Sequence, residues 1–191
     1  IKGKQVLGVT TIVGVVVVVL SVMHLARLVQ AHLDESRAVA RLVASATYQR
    51  AREAVGAGVD PYEALRSDPG LRSILESSLY SANVTFAAIV DVHGVTVMHA
   101  TPDFEGKIQP QGGDLVALLS RSAVAQLRAI YSGEGRNLEY SQPLFLAGAG
   151  GNTEFGSIRV GVSTLLIRDN FRRSLGPALA QTLFDGGLRR A

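Results

Sequence analysis

Asp91, His99 and Asp103 are the side chains in this sequence whose types and closeness could do chemistry. An imidazole with a carboxylate on either side can serve as an acid–base set or supply ligands to a metal ion. The competing reading is structural. An Asp at a strand end before a turn accepts backbone N–H groups, and a strand-end His bonds to the neighbouring loop. The other histidines add little: His24 and His32 border a long apolar helix, and His93 falls in a turn. The sequence has no G-x-S-x-G, no H-E-x-x-H and no cysteine, so neither a serine-nucleophile nor a zinc-protease motif is present. A disulfide framework or Cys-ligated metal is excluded. Residues 147–153 (AGAGGNT) are glycine-rich but lack the Lys-Ser/Thr of a phosphate loop and open no helix. These residues predict binding rather than catalysis, with no cofactor and no metal.

The elements that must position such residues begin in an apolar run. Residues 6–23 (VLGVTTIVGVVVVVLSVM) contain no charge. At about 1.5 Å per residue, a helix of that length spans roughly 27 Å, close to the hydrocarbon thickness of a bilayer. Five consecutive valines, residues 15–19, are poor helix formers in water. In lipid the backbone has no other partner, so they become helical. Lys2 and Lys4 stand at one end of the run, His24 and Arg27 at the other. Membrane lipid is therefore an expected partner. The lysines favour an inside N-terminus, while Arg27, Arg37 and Arg41 weigh against it. The formal charge of +3 comes from arginines scattered among acids. Without a basic block or interleaved aromatics, no nucleic-acid role is expected. The start at Ile1 rather than Met suggests a window from a longer protein.

Residues 25–55 continue in helical period without glycine or proline. Asp34, Arg37, Arg41, Ser45, Tyr48 and Arg52 form a narrow polar stripe. Val29, Leu33, Val39, Ala40, Leu42, Val43 and Ala46 fill the broader face. That face predicts a helix that covers a sheet and pairs with its twin in a homodimer. Gly56 and Gly58 end it, and Asp60-Pro61 and Asp68-Pro69 read as successive helix starts. From Asn83 the period changes. Residues 84–92 and 95–100 read as strands about a His93-Gly94 turn. One helix is expected over residues 114–131, a second strand pair over 138–146 and 155–163, and an exit helix from Thr164. Antiparallel strands with helices gathered around one sheet make an α+β domain. The expected divisions are a transmembrane helix (1–24), a stalk helix (25–56), a sheet domain (57–163) and an exit helix (164–191).

The run IVDVHGVTVMHATPDFEGK (residues 89–107) and the later FGSIRVGVS (residues 155–163) resemble the PDC or single Cache family of PAS-like sensor modules. The resemblance implies a PAS-like antiparallel sheet of about five strands, lying outside the cytoplasm with a pocket on one face. It further implies a bacterial inner-membrane receptor of the sensor histidine kinase type, with a periplasmic sensor and a second membrane crossing before a cytoplasmic output domain. His99 matches the position where citrate- and dicarboxylate-sensing members place a ligand-binding histidine. Their basic residues are replaced here by Thr96, Glu139 and Ser141. The loss of counter-charge implies a neutral or singly charged ligand. The implied pocket lies between the second strand, the loop to Lys107 and the strand 138–144. His99 and Lys107 would be its donors and Tyr140 a wall, with Arg159 either a ligand clamp or a sheet-surface charge. A ligand-free module used for dimerisation or protein interaction is the alternative.

Overall fold

The computed structural model describes residues 2–55, 60–131, 137–148 and 151–166. Its first element, α1, is a single helix over Lys2–Ala54, 53 residues and about 80 Å long. The expected membrane and stalk helices are thus one uninterrupted rod. Its apolar part is long and apolar enough to cross a membrane, with a mean hydropathy of 2.5 over the best window. Among the described residues nothing covers it, and Ile12, Val18 and Leu20 remain at least 60% exposed.

Further along, the rod becomes the spine of the domain. Val29, Leu33, Ser36, Ala40, Val43, Ala44, Thr47 and Ala51 are all buried. Their steps of three and four residues keep them on one side of the helix. The broad apolar face read from the sequence therefore divides. Val29, Leu33, Ala40 and Val43 go into the core, whereas Leu42 is 71% exposed and Ala46 also faces out.

Two short helices follow, α2 (Pro61–Ser67) and α3 (Pro69–Ser78). Both Asp-Pro starts are real: Asp60 accepts from the Tyr62 amide at 3.1 Å and Asp68 from the Leu71 amide at 2.8 Å. Asp68 also receives Arg50 of α1 through Nε and Nη2, at 3.1 and 2.8 Å. Gly70 leaves room for that guanidinium, since a Cβ there would stand 2.8 Å from Arg50 Nε.

The strands are β1 (Val84–Asp91), β2 (Thr96–His99), β3 (Gly113–Asp114), β4 (Asn137–Gly148) and β5 (Gly151–Ser163), in the order β2-β1-β5-β4-β3. The fold is α+β as expected, but the sheet is mixed, because β3 runs parallel to β4. The first hairpin turns through three residues rather than two. Asp91 pairs with Val95 backbone to backbone at 2.9 Å, and Gly94 takes a left-handed φ of 82°. The second hairpin extends into the glycine-rich segment, pairing Ala147 with Asn152 and Gly148 with Gly151.

The single helix expected over residues 114–131 is two, α4 (Leu115–Leu119) and α5 (Ala123–Tyr131). Gln126 explains the break. Its buried Nε2 donates to the carbonyls of Leu119 and Arg121, both at 3.0 Å, satisfying a bent chain that a straight helix would not need. Residues 164–166 begin a helix. The rest of the expected exit helix lies outside the described residues.

Register assigns each side chain to a face, because cross-strand partners share one. On the first face Tyr140, Val160 and Ala87 align, as do Gln142, Ile158, Ile89 and Met98. This face joins Val29, Leu33, Ala40 and Val43 in the main core. On the second face the rows are Glu139, Gly161 and Phe86; Ser141, Arg159, Ala88 and His99; and Pro143, Ser157, Val90 and Thr96.

Candidate functional site

The second face is concave, and chain length requires it. Ile108 pairs with Val95 on the outer side of β2, yet Gly113 already pairs with Leu138 beyond β4. A flat sheet would separate those positions by about five strand spacings, roughly 24 Å. The five residue steps between them reach at most about 18 Å. The sheet must curl around the segment 108–113, which runs as a chord across the hollow. The end of that segment lies against the second face, since a Cβ on Gly112 would meet Glu139 Cγ at 2.9 Å.

His99 lies in this hollow, 4% exposed. Its ring stacks on Phe86 with centroids 5.9 Å apart and tilts against Phe104 at 4.9 Å. Nδ1 accepts the Thr101 amide at 2.8 Å. That contact makes the ring a neutral Nε2–H tautomer, and Nε2 makes no hydrogen bond among the described residues. Burial holds the imidazole below its ordinary pKa, with the charge of Glu105 pulling the other way.

The segment leaving β2 is clipped to it. Thr96 N donates to Lys107 O at 2.9 Å and Gly106 N to Thr96 O at 2.8 Å, a return that Gly106 allows with its left-handed φ of 74°. The His99 amide donates to Glu105 Oε1 at 3.2 Å, and Arg72 of α3 holds the same oxygen at 3.2 Å.

Of the expected site residues, His99 and Lys107 are brought together through a third. Lys107 Nζ sits 5.7 Å from the centroid of the Phe104 ring, which also contacts His99. Arg159 shares the His99 row, two strands away and about 10 Å across, with only the Ala88 methyl between them. It makes no ion pair or hydrogen bond among the described residues. Tyr140 is not part of this group: it stands on the opposite face, against the α1 core, and cannot wall a pocket that contains His99. The sequence reading missed Phe104, Glu105 and Arg72. Phe104 and Glu105 lie within the quoted PDC-like run, but nothing in the sequence pairs Arg72 with Glu105.

Thr96 offers a further polar atom. It is buried on the same face as His99, and its Oγ1 has no hydrogen-bond partner among the described residues. A hydroxyl, an imidazole N–H and a guanidinium on one concave face can bind a small polar or anionic group. Neither expected carboxylate makes a hydrogen bond or ion pair with His99 among the described residues. Asp91 spends its Oδ1 on the amides of His93 and Val95, both at 2.8 Å, and Asp103 is exposed in the 3-10 turn Pro102–Phe104. Among the described residues no three acidic or histidine side chains gather closely enough to hold a metal ion.

No family model matches the chain, and no curated protein does. Among solved structures it is similar to the E. coli DcuS sensor domain, seen in a crystal structure. The match covers 76% of this chain and 98% of that one, at 14% identity and a TM-score of 0.45. At that score the likeness decides neither fold nor function.

Proposed function

We propose that this chain is the signal-sensing region of a membrane-bound receptor. The observation that carries the reading is the continuity of α1. One helix is both the segment able to cross a membrane and the spine of the α+β domain's core. A shift of the sheet against Val29, Leu33 and Ala40 is then a shift of the membrane segment itself, with no hinge between them.

In this reading the domain is a PDC-like module outside the cytoplasm of a bacterial inner membrane, and its output is a sensor histidine kinase. The ligand is a small neutral or singly charged molecule. It contacts the His99 Nε2–H, the Thr96 hydroxyl and Arg159, with Lys107 at the rim. Tyr140 no longer belongs to the site. Binding shifts β5, and the motion leaves through Thr164. A ligand biases two states only by its difference in affinity for them, so pocket substitutions should alter binding and signalling together. The outward stripe of α1 pairs two copies.

The alternative is a ligand-free interaction module. Ala88 and Val90 in the middle of the concave face are both 0% exposed, which leaves little open room there. Calorimetry of the detergent-solubilised chain against a broad metabolite panel, with His99→Ala alongside, separates the two. A ligand whose affinity drops at least tenfold in His99→Ala supports the site. A bound ligand indifferent to that change removes the site, and no binding at all favours the alternative.

A further inference from the structure

The segment 101–109 is fastened to the sheet in two parts: residues 106–109 by backbone bonds to Gly94 and Thr96, and residues 101–105 by His99 together with the Arg72–Glu105 ion pair. The His99 ring fills the space between Phe86 and Phe104, its Nδ1 receives the Thr101 amide, and its own amide holds Glu105. Phe104 is 49% exposed, so apart from the Arg72–Glu105 ion pair the His99 contacts are what hold residues 101–105 in place. We propose that His99 is an acid-sensitive pin: while neutral it holds residues 101–105 against the sheet, and protonation of its ring releases them.

The chemistry is one of donors and acceptors. A protonated imidazole carries hydrogen on both nitrogens. Nδ1–H would then point at the Thr101 N–H, and the bond that turns the chain away from β2 becomes a clash between donors. The charged groups around the ring do not replace it. Glu105 favours the cation, but it is already held by the His99 amide and by Arg72 from α3. Lys107 sits over the Phe104 ring, and Arg159 of β5 faces the same hollow; both oppose a new positive charge. Glu139 sits on the same face two rows from Thr96, and Asp103 is exposed in the 3-10 turn. The phenyl faces of Phe86 and Phe104 attract a cation, but they offer no acceptor where Thr101 donates.

The sign follows from linkage. The closed state holds His99 below its ordinary pKa, so it binds fewer protons than the open state. Closure is complete above the ordinary value near about 6.5 and weakens as pH falls below it. Between the open and closed pKa values the open fraction should rise by up to about tenfold per pH unit. This device goes beyond the ligand reading and stands even if no ligand binds.

The test is NMR of the full chain in detergent micelles between neutral pH and the carboxylate range. The His99 ring should titrate below about 6.5, and the Thr101 and Phe104 amides should change and gain mobility with the same midpoint, while the Gly106 amide, bonded to Thr96, stays fixed. His99→Asn keeps an acceptor near the Nδ1 position but cannot be protonated, and its segment should stay closed throughout. Glu105→Gln should lower the His99 midpoint further. Thr101 and Phe104 amides that stay fixed through the His99 titration would overturn the proposal. So would an equal response in folded His99→Asn. If that variant does not fold, the coincidence of midpoints in the unaltered protein decides.

Discussion

Asn83 Nδ2 donates to Ser36 Oγ at 3.1 Å, joining the residue at which the sheet begins to the buried side of α1. Ser36 in turn donates to the His32 carbonyl at 2.9 Å, and the Ser163 amide donates to Asn83 O at 3.1 Å. The entry of β1, the end of β5 and the stalk helix therefore meet at one buried polar residue. Its backbone is left-handed, with a φ of 66°, a conformation that Asn tolerates better than most residues.

Two substitutions separate the parts that Asn83 plays. Asn83→Gly keeps the conformation and loses the side-chain bond, leaving Ser36 short of a partner, which should cost about 1–3 kcal/mol. Asn83→Ala loses the bond and also pays roughly 1–2 kcal/mol for a left-handed backbone. Urea unfolding of the solubilised chain should rank unaltered protein above glycine and glycine above alanine. Equal stability of the two variants would mean that the backbone conformation relaxes.

The Arg50–Asp68 contact gives a pH dependence. Burial alone would raise the Asp68 carboxyl, but the Arg50 hydrogen bond, the Leu71 amide and the Arg50 charge outweigh it and hold it below its ordinary value. A depressed carboxylate contributes stability above its unfolded pKa, and that contribution disappears as pH falls through the folded one. The unaltered chain should therefore lose melting temperature on acidification through the carboxylate range. Asp68→Asn should lose less over the same range, because the amide still caps α3 but cannot ionise. Parallel acid profiles for the two would show that the pair contributes nothing.

Much of this architecture was legible because it rests on local chemistry. Asp60 and Asp68 announce their helices by the proline that follows each. The uncharged run ahead of Met23 announces a membrane-length helix. Asp91 reads correctly as a turn cap because its partners are two and four residues away. What the sequence concealed depends on sheet order. Tyr140 and His99 sit on opposite faces because of the register in which β4, β5, β1 and β2 pair, and alternation within one strand cannot reveal that. The bend between α4 and α5 hides for another reason: Gln126 is polar, buried and bonded to carbonyls of the preceding turn, while the apolar spacing runs straight through it. Leu42 shows the limit of composition, since an apolar residue on a helix need not face the core.

Gly161 shows why a glycine stands in β5. A Cβ there would lie 2.1 Å from the Phe86 ring, which rests on the bare backbone. Gly161→Ala should destabilise the chain by about 1–3 kcal/mol through overpacking. Phe86 also stacks on His99, so its displacement should disturb the His99 ring resonances as well. Shortening the neighbour ought to relieve the clash: Gly161→Ala with Phe86→Leu should be more stable than the two separate losses added together. Strict additivity in that cycle would show that the ring moves aside freely.

The exposed side of α1 carries the last prediction. Ala40 is 0% exposed and Val43 9%, both turned onto the sheet, so cysteines at those positions should not cross-link between copies. Leu42 is 71% exposed, and Ala38 and Ser45 lie beside it on the outward side. If two copies pair along this helix, single cysteines at Ala38, Leu42 and Ser45 should form interchain disulfides in membranes, with Ala40 as the buried negative control. Leu42 would supply the apolar contact, and the small neighbours would let the two helices approach. Disulfides at Ala38 and Leu42 with none at Ala40 would establish both the pairing and its face. Maleimide labelling of Ala38 and Leu42 cysteines without any disulfide would leave the face exposed and remove the dimer. Cross-linking at Ala40 would mean that the helix turns a different side to its partner than this packing allows.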